Sequence, residues 1–212
     1  MLKTLIYAAD ISALKNAAIY DELYNTAPLP RKSKIDAFKF DDGKRRSLGA
    51  WALLDKMLRE IGINDGDKLN IEITEHGKPI LTDYPDVHFN ISHSKERVMC
   101  ALSDAGIGCD TEGIAAADLK IAGRFYHKEE YDAILKAEDK RARDELFYRI
   151  WTRKESYIKA LGTGLVTPME SFSVFSLPDE WECRNFDFSD GYSYACCAPV
   201  GRMADARFVK LM

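Results

Sequence analysis

The segment Trp151-Thr152-Arg153-Lys154-Glu155-Ser156-Tyr157-Ile158-Lys159 decides the fold that we expect, because it joins a helical pattern to a cluster of charges. The apolar side chains in and before it recur at the helical period of ~3.6 residues. They are Phe147, Ile150, Trp151 and Ile158. Gly162 follows at a position suited to end a helix. We therefore predict a helix that ends near Gly162 and turns one strip toward a core.

The charged side chains of this helix form the first candidate site. At about 100° per residue, Glu155 and Lys159 lie one turn apart on a common strip, with Lys154 beside them. A carboxylate and two ammonium groups then share one edge of the helix. The same pattern is typical of an exposed ion pair on an ordinary soluble helix, so a second feature has to decide between the two interpretations.

That second feature is the segment 106–112, whose residues alternate as in a strand. Alternation places Gly106, Gly108, Asp110 and Glu112 on one face and the remaining residues on the other. Neighbouring carboxylates repel each other unless a proton or a cation neutralises one, and a hard divalent ion with oxygen ligands suits them. The pattern therefore favours a Mg²⁺ site, with two exposed acids near a strand end as the alternative.

The composition is that of a globular protein able to bury a core in one domain or in two small lobes. The chain has 212 residues, 46% of them hydrophobic, and a formal net charge of −4. Its 30 basic and 34 acidic residues give no basic field, which argues against nucleic-acid binding. No run approaches the ~18 apolar residues of a membrane span, and the segment from Met1 to Asp10 lacks a signal-peptide cleavage pattern. We therefore expect a cytoplasmic protein.

The five cysteines predict free buried thiols rather than a metal site or a disulfide framework. Their number is odd, and no Cys-x-x-Cys pair or nearby His at metal-ligand spacing is present. They are Cys100, Cys109, Cys183, Cys196 and Cys197. Cys109 lies within the strand of the acids, but no adjacent base is visible, so we expect a structural role for it.

Periodicity predicts a mixture of helices and short strands along the chain. Helices are expected at 14–24, near 31–34, from 44 to 61, at 119–126, at 129–137 and around 151–159. Strands are expected at 2–9, 69–73, 87–91, 97–102, 106–112, 172–175, 181–188, 192–197 and 206–211. A break is expected at 41–43 and a charged link at 138–144. Each half contains helices and a group of strands, which suggests two similarly built lobes.

Two further groups of residues suit phosphate. Arg31, Lys34 and Arg46 lie near predicted helix starts, where cations are slightly costly unless an anion binds there. A solvated face is the ordinary alternative for such cations. His93 lies between two serines at a strand end, and together they form a compact set of donors. A structural histidine is the alternative there.

Taken together, these segments resemble the surfactin-type 4′-phosphopantetheinyl transferases. The matching motifs are Gly77-Lys78-Pro79, Phe89-Asn90-Ile91-Ser92-His93-Ser94, Gly108-Cys109-Asp110-Thr111-Glu112, Arg124-Phe125-Tyr126 with Glu129 and Glu130, Trp151-x-x-Lys154-Glu155-Ser156-Tyr157-Ile158-Lys159, and Phe172-Ser173-Val174. The resemblance covers about 31–174, and the remaining C-terminal part fits only loosely. Each motif alone is a weak signal, but four of them in the right order and spacing are a strong one.

The resemblance implies an α+β fold of two similar lobes related by a pseudo-twofold, which we divide into residues 1–105 and 106–212. It also implies transfer of the phosphopantetheine arm of coenzyme A to a serine of an acyl or peptidyl carrier protein, with release of 3′,5′-ADP. Family positions would place Mg²⁺ on Asp110, Glu112 and Glu155. Glu155, directly or through a metal-bound water, would take the proton of the serine. Lys159 would neutralise or protonate the leaving phosphate, with Lys154 supporting the same charge.

The resemblance implies that a larger set of residues binds the nucleotide end of coenzyme A. Its members are Lys78, Pro79, Ser92, His93, Arg31, Lys34, Arg46 and Ser47. Cys109 and Thr111 replace branched aliphatic residues of the family, but on the strand face opposite the acids. Carrier contacts are expected at Leu119, Arg124 and Lys128, because carriers of this kind tend to present an acidic helix. We expect a monomer.

Two alternatives to this function stay open from the sequence. One is a module that binds coenzyme A or a carrier protein without turnover. The other is a different Mg²⁺-dependent phosphotransferase or hydrolase with the same acidic cluster. The second is weakened because the chain lacks the Gly-x-x-x-x-Gly-Lys-Ser/Thr loop of nucleoside triphosphatases.

Overall fold

The first sheet is built on a strand that is buried on both faces. A computed structural model of the protein describes residues 2–64 and 69–211. In it β1 (Leu5–Asp10) pairs with β5 (Arg97–Ser103), which pairs with β4 (His88–Ser94), and β9 (Arg207–Phe208) adds to the other edge of β1. The predicted strands at 2–9, 87–91, 97–102 and 206–211 are thus confirmed, with shifted ends.

A long helix covers the first sheet. This helix, α3 (Asp41–Glu60), packs on the face of β1 that carries Leu5 and Tyr7. The helices α1 (Ala17–Thr26) and α2 (Leu29–Asp36) precede it, and the small hairpin β2 (Ile71–Ile73) and β3 (Pro79–Leu81) follows it. The predicted break at 41–43 was wrong, because these residues form the first turn of α3. Acids in that turn suit the positive end of the helix dipole.

The second sheet packs against the other face of the first. It consists of β6 (Gly108–Gly113), β8 (Tyr192–Pro199) and β7 (Trp181–Phe186), all antiparallel in this order. Ile6 and Ala8 of β1 meet Cys109 and Tyr194 in one buried cluster between the sheets. The layers are therefore helix, sheet, sheet, helix, and the predicted α+β class is confirmed.

The last layer is α6 (Lys140–Leu161), which follows α4 (Leu119–Phe125) and α5 (Lys128–Leu135). Gly162 has a φ of 71°, a left-handed conformation that favours glycine, and it ends α6 as predicted. The charged link predicted at 138–144 is shorter than expected: Glu138 and Asp139 lie between α5 and α6, but residues 140–144 are helical because Asp139 caps α6 by accepting from the Ala142 N–H. Pairs such as Arg141 and Glu145 then support its first turns.

Two other predictions were wrong. No strand forms at 172–175, because the Val174 N–H donates to the Glu130 carboxylate instead of a neighbouring strand. Cys183 and Cys197 are not free thiols, since they face each other in the register of β7 and β8 and form a disulfide. Cys100, Cys109 and Cys196 are free and buried, as predicted.

The predicted boundary between lobes at residue 105 stays a prediction. β9 comes from the predicted second lobe but joins the first sheet, so the chain returns across that boundary. Met1, residues 65–68 and Met212 lie outside the described residues. Among the helices described in residues 2–64 and 69–211, none combines the length and the apolar character that a membrane crossing requires.

Candidate active site

The site begins where α6 lies directly on β6. A Cβ at Gly108 would overlap the carbonyl oxygen of Ser156 and the amide nitrogen of Ala160. Only a bare glycine therefore allows this close approach. The Ser156 hydroxyl donates to the Ala195 carbonyl of β8 at 3.0 Å and fastens the helix to the sheet. The charged strip of α6 is thereby held beside the acids of β6.

Asp110 is the most buried of the acids and pairs with a lysine. Its Oδ1 lies 2.5 Å from Nζ of Lys159 and accepts the Ser92 hydroxyl at 2.7 Å. Its Oδ2 is buried and has no hydrogen-bond partner among the described residues. A buried carboxylate oxygen without a partner is costly, so Asp110 is suited to an additional cation.

Glu112 and Glu155 are partly buried beside Asp110. Burial raises the pKa of Glu155, and the charges of Asp110 and Glu112 raise it further, while Lys159 lowers it. Burial also raises the pKa of Glu112, and the Ser94 hydroxyl opposes this by donating to Glu112 Oε2 at 2.7 Å. The three carboxylates therefore interact electrostatically, as their predicted common site requires.

These acids do not by themselves form a finished metal site. Within residues 2–64 and 69–211, no group of three or more His, Cys, Asp or Glu side chains is arranged to hold a metal ion. Lys159 instead neutralises Asp110. The free Oδ2 of Asp110 and the raised pKa of Glu155 nevertheless fit a divalent cation, because such an ion would satisfy the first and stabilise the ionised form of the second.

Lys154 is not at this site, which corrects the prediction that it shares an edge with Lys159. Five residues of helix rotate a side chain by about 140°, so the two lysines point to different sides. The Lys154 side chain is fully buried, and its Nζ pairs with Glu130 at 2.6 Å and donates to the Phe172 carbonyl at 2.6 Å. Lys154 therefore links α6 to α5 and to the segment that follows α6.

A cleft of ≈ 320 Å³ opens beside Glu155 and Lys159. Lys78 and Pro79 line it, as do Asn90 and Ile91. The Lys78 Nζ donates to the carbonyls of Lys159 and Ala160 at 2.8 and 3.2 Å, where a cation suits the negative end of α6. Lys78 therefore supports the end of α6 as well as lining the cleft.

A second cavity of ≈ 500 Å³ shares Pro79 and Ile91 with the first. Arg31, Lys34 and Ser47 line it together with apolar side chains. These three residues and Pro79 were all assigned to the nucleotide end. The Arg31 guanidinium lies 5.0 Å from the centre of the Trp51 ring, which orients it. The basic and apolar lining suits a nucleotide with phosphate groups.

Neither cavity is lined by His93, Arg46 or Ser92, although all three were assigned to the nucleotide end. Partial loss of water around the ring lowers the pKa of His93, and the charges of Arg46 and Lys159 lower it further. The neutral form of the His93 ring is therefore favoured, although the charge of Asp110 opposes this. The Ser92 hydroxyl is committed to Asp110, and Lys159 Nζ lies 3.5 Å from it.

Three contacts that support the site and α6 were not predicted from the sequence. The Ser94 hydroxyl donates a hydrogen bond to Glu112, and Glu130 forms an ion pair with Lys154. The Asn90 side chain accepts a hydrogen bond from the Cys109 N–H at 2.9 Å. Asn90 and Ser94 alternate with Ser92 along β4, so they point to one side. That alternation was the available signal. Nothing local in the sequence connects Glu130 to Lys154.

The arrangement defines a class of site. Carboxylates that fit a divalent cation lie beside a lysine and next to a cleft, and this cleft shares two lining residues with a basic cavity. Such a combination suits phosphoryl transfer, in which positioning and cancellation of charge on phosphate oxygens do most of the work.

Comparison with known proteins assigns the family. The model of the 4′-phosphopantetheinyl transferase superfamily matches residues 106–197, and a model described as 4′-phosphopantetheinyl transferase, N-terminal, matches residues 18–104. The 4′-phosphopantetheinyl transferase Sfp of Bacillus subtilis (strain 168) is 37% identical over 170 residues, covering 74% of this chain and 75% of that protein. The chain therefore belongs to the 4′-phosphopantetheinyl transferase superfamily.

Other relatives agree with this assignment. A 4′-phosphopantetheinyl transferase of Bacillus subtilis is 31% identical over 206 residues, with 91% of each chain covered. The 4′-phosphopantetheinyl transferase gsp of Aneurinibacillus migulanus is 34% identical over 177 residues, covering 78% of this chain and 73% of that protein. The resemblance inferred from the motifs is thus confirmed.

Proposed function

We propose that this protein transfers the 4′-phosphopantetheine group of coenzyme A to a serine hydroxyl of an apo acyl or peptidyl carrier protein and releases 3′,5′-ADP. The observation that carries the proposal is the meeting of Asp110, Glu155 and Lys159 at one end of the cleft. Membership of the transferase superfamily supports it.

The two neighbouring cavities, which share Pro79 and Ile91, are the proposed site for coenzyme A. In this proposal the nucleotide end occupies the cavity of Arg31, Lys34 and Ser47, and the diphosphate reaches Lys159. Arg46 acts electrostatically on His93 and would add positive charge for a phosphate, to which the His93 ring would donate an N–H. Asp110, Glu112 and Glu155 would hold Mg²⁺, which would supply charge neutralisation at the diphosphate.

Glu155 takes the proton of the acceptor serine as the serine oxygen attacks the phosphorus that carries pantetheine. The bond between that phosphorus and the bridging oxygen breaks, and the electron pair remains on the leaving 3′,5′-ADP. Lys159 stabilises the charge that develops there. Glu155 must be ionised to accept this proton, and a bound Mg²⁺ would favour that form against the effect of burial.

The same proposal covers location and partners. We propose a cytoplasmic monomer that acts on neither nucleic acid nor membranes. Carrier contacts are proposed at Leu119, Arg124 and Lys128, which lie on α4 and at the start of α5. Size-exclusion chromatography with light scattering checks the monomer, and charge reversal at Arg124 or Lys128 is expected to raise the KM for the carrier without changing the KM for coenzyme A.

The decisive experiment incubates the purified protein with coenzyme A, Mg²⁺ and a panel of apo acyl and peptidyl carrier proteins. Intact-protein mass spectrometry is expected to show a phosphopantetheine adduct on at least one carrier. The variant Glu155→Gln should keep the fold and form no adduct. Binding of coenzyme A without any mass gain would contradict transfer and leave a binding module, and robust turnover by Glu155→Gln would remove Glu155 from the mechanism.

A further inference from the structure

Side chains, not a backbone ladder, join β4 to β6. The two strands belong to different sheets. Alternate side chains of β4 accept hydrogen bonds from alternate N–H groups of β6 at distances of 2.9, 3.3 and 3.2 Å. The pairs are Asn90 with Cys109, Ser92 with Thr111 and Ser94 with Gly113. Because both strands have a period of two, these side chains form a regular row across the junction of the sheets.

The two serines of this row also hold the acids. A hydroxyl has one hydrogen to donate and two lone pairs, so a serine can accept from an N–H and donate to a carboxylate at once. Ser92 donates to Asp110 Oδ1 and Ser94 donates to Glu112 Oε2, both at 2.7 Å. The direction is unambiguous for ionised carboxylates, which only accept. Each serine thus fixes one acid relative to the backbone of β6.

Glu112 depends on its serine more than Asp110 does. Asp110 also pairs with Lys159, whereas in the described part of the chain Ser94 is the one residue found within hydrogen-bond distance of the Glu112 carboxylate. Glu112 is partly exposed and has one more rotatable bond than an aspartate. Without the Ser94 hydroxyl, its carboxylate would sample several rotamers.

The turn after β4 holds Ser94 in place. Ser94 pairs with Arg97 at the end of the hairpin, so its position is set by the ladder with β5. Lys95 follows with a φ of 48°, an uncommon conformation for a residue other than glycine. Its side chain lies over Gly113, where a Cβ would be 3.0 Å from the Lys95 Nζ. The hairpin corner is therefore packed against the end of β6 beside Glu112.

We propose that Ser94 is a positioning residue that fixes the Glu112 carboxylate as a ligand for the divalent cation and so sets the affinity of the site for that cation. This inference rests on the proposed function for the identity of the cation and goes beyond it in assigning the residue. Ser94 lines neither of the two cavities and donates its hydroxyl hydrogen to Glu112, so it acts through that carboxylate.

A matched set of variants separates this role from a structural one. Ser94→Ala removes the hydroxyl, and the pair Ser94→Thr and Ser94→Val differs by a hydroxyl alone at nearly equal volume. Thr111→Val is the control, because Thr111 lies between the two acids and its buried hydroxyl has no partner among the described residues. Its removal should be harmless. Circular dichroism melting establishes that each variant is folded.

The first measurement titrates Mg²⁺ into the protein saturated with coenzyme A, without a carrier, by isothermal titration calorimetry. Ser94→Ala and Ser94→Val are expected to bind Mg²⁺ about 10-fold more weakly or worse, as is usual when a partner of a metal ligand is lost. Ser94→Thr and Thr111→Val should stay within about twofold of the parent protein, a difference too small to signal a lost hydrogen bond.

The second measurement follows carrier modification as a function of Mg²⁺. The Mg²⁺ concentration for half-maximal rate should rise in Ser94→Ala by the same factor, with the KM for coenzyme A at saturating Mg²⁺ unchanged. Equal Mg²⁺ affinity in Ser94→Thr and Ser94→Val, or a changed KM for coenzyme A alone, would overturn the inference. If the parent protein binds Mg²⁺ but modifies no carrier, the proposed function fails while the calorimetry still decides the role of Ser94.

Discussion

The replacement Lys154→Met tests whether Lys154 supports the fold or the chemistry. The methionine keeps most of the apolar volume but removes the ammonium that Glu130 and the Phe172 carbonyl share, each at 2.6 Å. Both charged side chains are 0% exposed, so Glu130 would be left as a buried charge without its cation. Breaking one side of a buried ion pair costs about 3–5 kcal/mol.

The lower end of that range applies here. Glu130 would keep two N–H donors, those of His127 at 2.9 Å and Val174 at 2.7 Å. About 3 kcal/mol of lost unfolding free energy lowers the Tm of a protein of this size by roughly 6–12 °C. Thermal melting followed by circular dichroism measures the shift, and urea unfolding measures the free energy.

Two further variants make the test specific. Lys128→Met removes a lysine whose ion pair with Asp132 is exposed, and it should change the unfolding free energy by no more than about 0.5 kcal/mol. Combining Lys154→Met with Glu130→Gln removes both charges and should recover part of the stability. At a temperature well below its Tm, Lys154→Met should still modify the carrier within a few-fold of the parent rate. A variant that melts like the parent protein but has lost transfer would refute the structural role of Lys154. It would instead support the predicted role of Lys154 at the leaving phosphate.

Three other predictions concern the site and its supports. Burial raises the pKa of Glu155 in the metal-free protein, whereas a bound Mg²⁺ would favour its ionised form, so Mg²⁺ binding should release protons and weaken as the pH falls; calorimetric titrations at several pH values check this, and an affinity that stays constant with pH would exclude Glu155 as a ligand. Gly108→Ala should cost about 1–3 kcal/mol or more in unfolding free energy and reduce transfer, because its methyl group would push α6 away from β6; urea unfolding and the adduct assay check this, and an unchanged protein would contradict the close approach. Lys95→Gly should gain about 1 kcal/mol by relieving a φ of 48°, and Ser189→Gly, at a φ of 55°, is the control for the same relief elsewhere; no gain in either would mean that the turns are not strained.

The face of β6 that carries the acids was predictable, because side chains alternate between the two faces of a strand and this alternation is strict over a short segment. Ile107 and Cys109 do lie in the core between the sheets, and Gly108 and Asp110 do face α6. The end of α6 at Gly162 was predictable for a similar local reason, since a left-handed residue there favours glycine.

What could not be predicted depends on contacts between distant segments. Glu130 lies in a different helix from Lys154, and no local pattern reports that the two are paired. The disulfide depends on the register of β7 with β8, which places Cys183 opposite Cys197. The missing strand at 172–175 has the same cause, because the Val174 N–H is taken by the carboxylate of Glu130.

Because of the row of polar side chains between β4 and β6, the site is complete only when the two sheets are packed together. A fragment that begins at Gly106 would carry all three carboxylates and Lys159, yet it would lack the hydroxyls that hold two of those acids. One residue of slippage between the strands moves each hydroxyl by ~3.3 Å, more than a hydrogen bond tolerates. Recovery of metal affinity after mixing two separately produced halves would therefore measure whether β4 and β6 pair in the correct register.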